Sequence, residues 1–117
     1  MDSLQISVDG NHEVAVVCLR GRLGIETSPD LRVHLLSMLN RQNPPAAIAI
    51  DLTLVSYMNT AGMATLIEGL KFARVAGIAM HLQGLQGRLL QLFQATGIGS
   101  LFETARPADN SSTSMES

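Results

Sequence analysis

The residues of this chain that could do chemistry are three histidines, one cysteine and one segment rich in small and hydroxyl-bearing side chains. His12, His34 and His81 fall in a turn, a helical stretch and a strand, and their spacing matches no metal-ligand pattern. Cys18 stands alone, so it completes no metal site and can form no intramolecular disulfide; it reads as a small buried hydrophobe on a strand. Neither a Gly-x-Ser-x-Gly elbow nor a Gly-Lys-Ser/Thr phosphate loop occurs. Gly97-Ile98-Gly99 follows a helical pattern and lacks a third glycine, so it marks a helix stop and turn. No catalytic residue, metal or cofactor is therefore expected, and the chain is not expected to be an enzyme.

The segment Val55-Ser56-Tyr57-Met58-Asn59-Thr60-Ala61-Gly62-Met63 is different. It follows an apolar strand and opens a helix, the position where open α/β sheets place their working residues. Asn59 can cap the helix, which leaves Thr60 in its exposed first turn. Glycine costs about 1 kcal/mol relative to alanine inside a helix, so Ala61-Gly62 needs another reason. Two stay open: a low surface for a partner's backbone, or close packing of helix on sheet.

The elements that would hold this segment can be read from periodicity. Leu4, Ile6 and Val8 alternate with polar residues, a turn follows at 9–12, and 14–19 is nearly continuously apolar, which together predict an opening hairpin. Residues 21–27 read as a loop. Ser28-Pro29-Asp30 predicts a helix start with Ser28 as its cap, and Leu31, Leu35, Met38 and Leu39 form one stripe before Asn43-Pro44-Pro45. A central strand is predicted at 46–50 and a linker at 51–59. A helix follows at 60–76 with Met63, Leu66, Ile67 and Leu70 inward and Gly77 as C-terminal cap. A strand at 78–82 comes next, then a helix at 85–96 with Leu85, Leu89, Leu92 and Phe93 inward, and a short strand at 101–104. The order β-β-α-β-α-β-α-β predicts an α/β fold: a single domain with a mixed sheet of about five strands and helices mainly on one face. That domain spans 1–106. Residues 107–117, mostly small and polar, read as a disordered tail.

Composition narrows the function classes. Aromatic residues make up 3% of the 117 residues and the formal net charge is −2, with no cluster of Lys and Arg. Nucleic acid is therefore not an expected partner. The N-terminus has no basic or strongly apolar stretch of the signal-peptide kind, and no apolar run approaches the roughly 20 residues that span a bilayer. A cytoplasmic location without membrane insertion is expected.

Asp51-Leu52 together with Val55 through Met63 resembles the signature of the STAS domain (sulphate transporter and anti-sigma-factor antagonist). The resemblance continues through Leu66, Lys71, Ala73-Arg74 and Gly77, then Leu82-Gln83-Gly84-Leu85 and Leu92-Phe93-Gln94-Ala95-Thr96-Gly97-Ile98. It implies an anti-sigma-factor antagonist, a transcription regulator and phosphoprotein that binds an anti-sigma factor which is also a Ser/Thr kinase. It places the phosphorylated residue at Thr60 and the partner-binding set at Arg22, Ser56, Tyr57, Met58, Asn59, Thr60, Ala61, Gly62 and Met63, and a phosphatase would reset the switch. A homodimer stays open. Asn59 stands where the family carries Asp, and Gly21-Arg22-Leu23-Gly24 lacks the acids of the family's Gly-Glu-Leu-Asp stretch. The alternative within the same fold is a non-switching scaffold or a subunit of a lipid ABC transport system.

Overall fold

A computed structural model describes residues 3–11 and 13–97. Strand β1 (Leu4–Gly10) turns back through Gly10, at φ 108°, into β2 (Val14–Leu23). Asn11 closes the turn: its Oδ1 accepts from the backbone N–H of Glu13 and of Val14. Helix α1 (Ser28–Leu39) leads to β3 (Ala47–Met58), α2 (Thr60–Ala76), β4 (Ala79–Gln83) and α3 (Gly87–Thr96). The described sheet has four strands in the order β1-β2-β3-β4, with β1 antiparallel to β2 and the other two pairs parallel. The fifth strand expected at 101–104, and the tail at 107–117, lie outside the described residues.

One sheet face carries Ala15, Val17 and Leu19 of β2, Ile48, Ile50 and Leu52 of β3 and Met80 of β4, all buried in a single cluster. The expected stripes meet it there: Leu31, Leu35, Met38 and Leu39 from α1, Met63, Leu66 and Leu70 from α2, and Phe93 from α3. Leu85, Leu89 and Leu92 pack half-buried against its edge, and Ile67 of α2 is only half-buried. Burying side chains of this size stabilises by about 1.5–3 kcal/mol each, so these stripes fix the helices on the sheet. An exposed ion pair, Arg32 to Glu68 at 2.8 Å, ties α1 to α2 at the surface.

Besides the start of α3, which falls at Gly87 and not at 85, three boundaries differ from expectation. Both β2 and β3 run further than periodicity suggests, through the stretches read as the loop at 21–27 and the linker at 51–59. The pairing continues as Arg20 with Leu54, Gly21 with Val55, Arg22 with Tyr57 and Leu23 with Met58, with register shifts between Cys18 and Arg20 and between Gly21 and Arg22. Each shift places one extra residue on β3, so the buried positions Leu52, Val55 and Met58 recur every third residue and hide the strand's period of two. Third, the cap of α1 is Thr27 rather than Ser28. Both hydroxyls turn away from the helix: Thr27 Oγ1 accepts from Gly24 N at 2.9 Å and donates to Arg22 O at 2.8 Å, and Ser28 Oγ donates to Gly24 O.

Asp51, in mid-β3, accepts from Thr53 Oγ1 at 2.6 Å and from Thr53 N at 2.9 Å. These bonds, the hydroxyl first, with a smaller contribution from the Gln83 side chain, hold its carboxyl below the ordinary carboxylate range. A carboxylate stabilised in this way supports the fold fully above its unfolded value, near pH 4, and the support is lost as pH falls through the lower folded value. In urea titrations, Asp51→Asn is expected to lower the midpoint at pH 7 and to match wild type in strong acid.

Candidate functional site

The candidate site lies where β3 ends and α2 begins. Asn59, at φ −119° and ψ −171°, turns the chain out of the strand, and its Oδ1 accepts from the N–H groups of Ala61 at 3.0 Å and Gly62 at 3.3 Å. Its own N–H donates to Leu23 O at 3.3 Å, which docks the helix start on the end of β2. Thr60 follows as the first helical residue, and it is exposed. The first turn of α2 contains no acidic side chain, so the positive end of the helix dipole there is not offset by a carboxylate. Replacing Asn59 with Ala is expected to cost about 1 kcal/mol, the usual worth of an N-cap, read as a lower thermal midpoint.

The residues singled out by sequence divide into two groups. Arg22, Ser56, Tyr57 and Thr60 are exposed, and Asn59 and Ala61 are half-buried. The Arg22 guanidinium lies over the Tyr57 ring, 4.1 Å from its centroid, and Ser56 Oγ donates to Gly21 O at 3.2 Å. Met58, Gly62 and Met63 instead face the interior and are buried. Buried, these three residues underlie the site and do not line its accessible surface.

Gly62 settles which of its two roles applies. A Cβ built there would lie 2.6 Å from Leu23 O, 2.8 Å from Leu23 Cγ and 3.0 Å from Met58 Cγ. The glycine is there for close packing of α2 on the sheet.

The neighbouring loop, which begins at the end of the Gly21-Arg22-Leu23-Gly24 stretch, also borders the site. Gly24 sits against the site, since an added Cβ would stand 3.2 Å from Asn59 Nδ2 and 3.6 Å from Tyr57 Cε2. The buried hydroxyls of Thr27 and Ser28 hold Gly24 in that place. The signal for Thr27 and Ser28 is two successive hydroxyl residues before Pro29, which point equally well to an ordinary helix cap.

Among the described residues, no group of three His, Cys, Asp or Glu side chains could hold a metal. No helix among them is long and apolar enough to cross a membrane. The site offers one exposed hydroxyl at a helix N-terminus, three residues after the Tyr57 ring on which Arg22 is stacked.

A family model described as "Mlab, STAS domain" matches residues 6–103. The chain belongs to the STAS domain family. The anti-sigma-B factor antagonist of Bacillus subtilis is 24% identical over 107 residues, which cover 92% of this chain and 95% of that one. Among solved structures, the anti-sigma factor antagonist SpoIIAA in its unphosphorylated form shares the STAS fold with a TM-score of 0.72 at 16% identity, over 83% of this chain and 84% of that chain. The STAS domain of a SulP transporter from Vibrio cholerae gives a TM-score of 0.66 at 24% identity, over 84% of this chain and 75% of its own. At these identities the structural likenesses speak for the fold alone.

Proposed function

We propose that this STAS domain is an anti-sigma-factor antagonist that binds a Ser/Thr-kinase anti-sigma factor and is switched off by phosphorylation of Thr60. The observation that carries the reading is the exposed hydroxyl of Thr60 at the first position of α2, beside the exposed Arg22 and Tyr57. The similarity to the anti-sigma-B factor antagonist over nearly the whole of both chains supports the choice of partner. The γ-phosphoryl group of ATP passes to Thr60 Oγ1, ADP leaves and the hydroxyl proton is released; a phosphatase restores the hydroxyl by hydrolysis. Phosphothreonine adds about −1.5 to −2 charges at pH 7. The helix N-terminus tolerates them, whereas a partner's surface must desolvate or repel them.

The test is incubation with the candidate anti-sigma-factor kinase and ATP, followed by peptide mass spectrometry. One phosphate on Thr60, absent from Thr60→Ala, is the expected result. A kinase that binds the domain and leaves Thr60 unmodified overturns the switch.

A second reading is a non-switching scaffold or a subunit of a lipid ABC transport system. Asn59 in place of an acid favours it. In that case Thr60→Ala and Thr60→Glu bind the physiological partner equally well.

A further inference from the structure

The end of the sheet that carries Thr60 also carries a cationic and apolar rim. Arg20 pairs with Leu54 and Arg22 with Tyr57 across β2 and β3. Leu19, Leu23, Val55 and Met58 are buried in the core, whereas Arg20, Arg22, Leu54 and Tyr57, which pair across the two strands, are all exposed. Leu54 is 59% exposed and Tyr57 38%, and Ile25 on the adjoining loop is 73% exposed. Arg20 and Arg22 are exposed beside them, and the guanidinium of Arg22 is already held flat on the Tyr57 ring. Among the described residues near the rim, Glu26 sits in the loop beyond Ile25, and the Asp51 carboxylate is engaged by Thr53. Two cations thus gather at one rim of a chain whose formal net charge is −2.

We propose that this rim receives an acidic protein surface, one that presents carboxylates to Arg20 and Arg22 around an apolar contact with Leu54, Tyr57 and Ile25. The inference rests on the reading of this chain as a partner-binding module and names the chemistry of its partner. Guanidinium groups donate two parallel hydrogen bonds to a carboxylate, and Arg and Tyr are over-represented among the residues that dominate interfaces. A nucleic acid is the other anionic occupant, but two arginines and one tyrosine give few phosphate contacts and little stacking area. An acidic partner also suits a switch at Thr60, because a phosphate on the same end of the domain repels its carboxylates.

The experiment measures association of the anti-sigma-factor kinase with wild type, Arg20→Glu/Arg22→Glu, Arg20→Glu alone and Thr60→Glu, at low salt and at about 300 mM salt. Steered association falls steeply with ionic strength. Wild type is expected to slow by about tenfold at the higher salt. The double reversal is expected to slow association by about tenfold at low salt and to flatten the salt dependence. Arg20 makes no side-chain ion pair among the described residues, so Arg20→Glu gives the same direction free of any disturbance at the Arg22–Tyr57 stack. Charge-reversed variants that bind like wild type while Thr60→Glu binds weakly overturn the acidic partner and leave the switch standing. Weak binding by the reversed variants with unaltered binding by Thr60→Glu keeps the acidic partner and removes the switch. No binding by wild type overturns both, and so does tight binding of a single-stranded oligonucleotide that the double reversal abolishes.

Discussion

Thr60→Glu is expected to weaken binding of the anti-sigma-factor kinase by more than tenfold while leaving the fold intact. The stability side follows from position. Thr60 is the first residue of α2, it is exposed, and the first turn holds no other acid. A carboxylate there meets the positive end of the helix dipole, worth about 0.3–1 kcal/mol in its favour. Glutamate is also the better helix former. Thermal unfolding of Thr60→Glu is therefore expected at or slightly above the wild-type midpoint. The binding side follows from desolvation. An uncompensated charge in an interface costs about 2–5 kcal/mol, and each 1.4 kcal/mol is a factor of ten in affinity. Thr60→Ala removes a small exposed hydroxyl and adds no charge, so it is expected to bind within about twofold of wild type. Titration calorimetry of the three proteins checks the set. Equal affinities across it would separate the charge at this position from binding altogether.

The parts of this domain that were legible in the sequence are those governed by local rules. Helix α2 announces itself at both ends: Asn59 is a cap whose side chain takes two N–H groups, and Gly77 ends the helix at φ 75°. With Asn59 as the cap, Thr60 falls in the first turn of the helix, and its exposure is expected from that place. The stripe of α1 is equally plain.

What was not legible depends on neighbours distant in sequence. The far half of β3 loses its alternation to two extra residues that only its pairing with β2 reveals. Arg22 comes to stack on Tyr57 because those same irregularities set the register, and no spacing in the chain encodes that meeting. The cap of α1 shifted by one residue because Thr27 and Ser28 are chemically interchangeable as caps. Contacts to Gly24 decided how their hydroxyls are used. The burial of Met58, Gly62 and Met63 likewise belongs to the seating of α2 on Leu23.

That seating makes Gly62→Ala the most informative stability variant. Helix propensity alone favours alanine by about 1 kcal/mol. Packing opposes it, because the new methyl would stand 2.6 Å from Leu23 O and 2.8 Å from Leu23 Cγ. The Leu23 side chain is fully buried, so it has little room to rotate away. Its carbonyl is fixed at the end of the β2–β3 ladder by the Asn59 N–H it accepts at 3.3 Å. The helix start must therefore lift from the sheet, and overpacking of this kind costs about 1–3 kcal/mol, occasionally more. The upper part of that range outweighs the propensity gain, so the net expectation is a loss of about 2 kcal/mol. In a domain of this size that lowers the thermal midpoint by about 8–16 °C. The urea midpoint should fall with an unchanged slope, as befits a change in stability without a change in the surface exposed on unfolding. An alanine variant as stable as wild type but impaired in binding would return Gly62 to the partner-facing surface, against the burial described for it. Because the first turn of α2 carries Thr60, the lift also displaces the proposed phosphorylation site. A Gly62→Ala protein held folded at low temperature is then expected to be a poorer kinase substrate than wild type, which links the packing of one buried glycine to the display of one exposed hydroxyl.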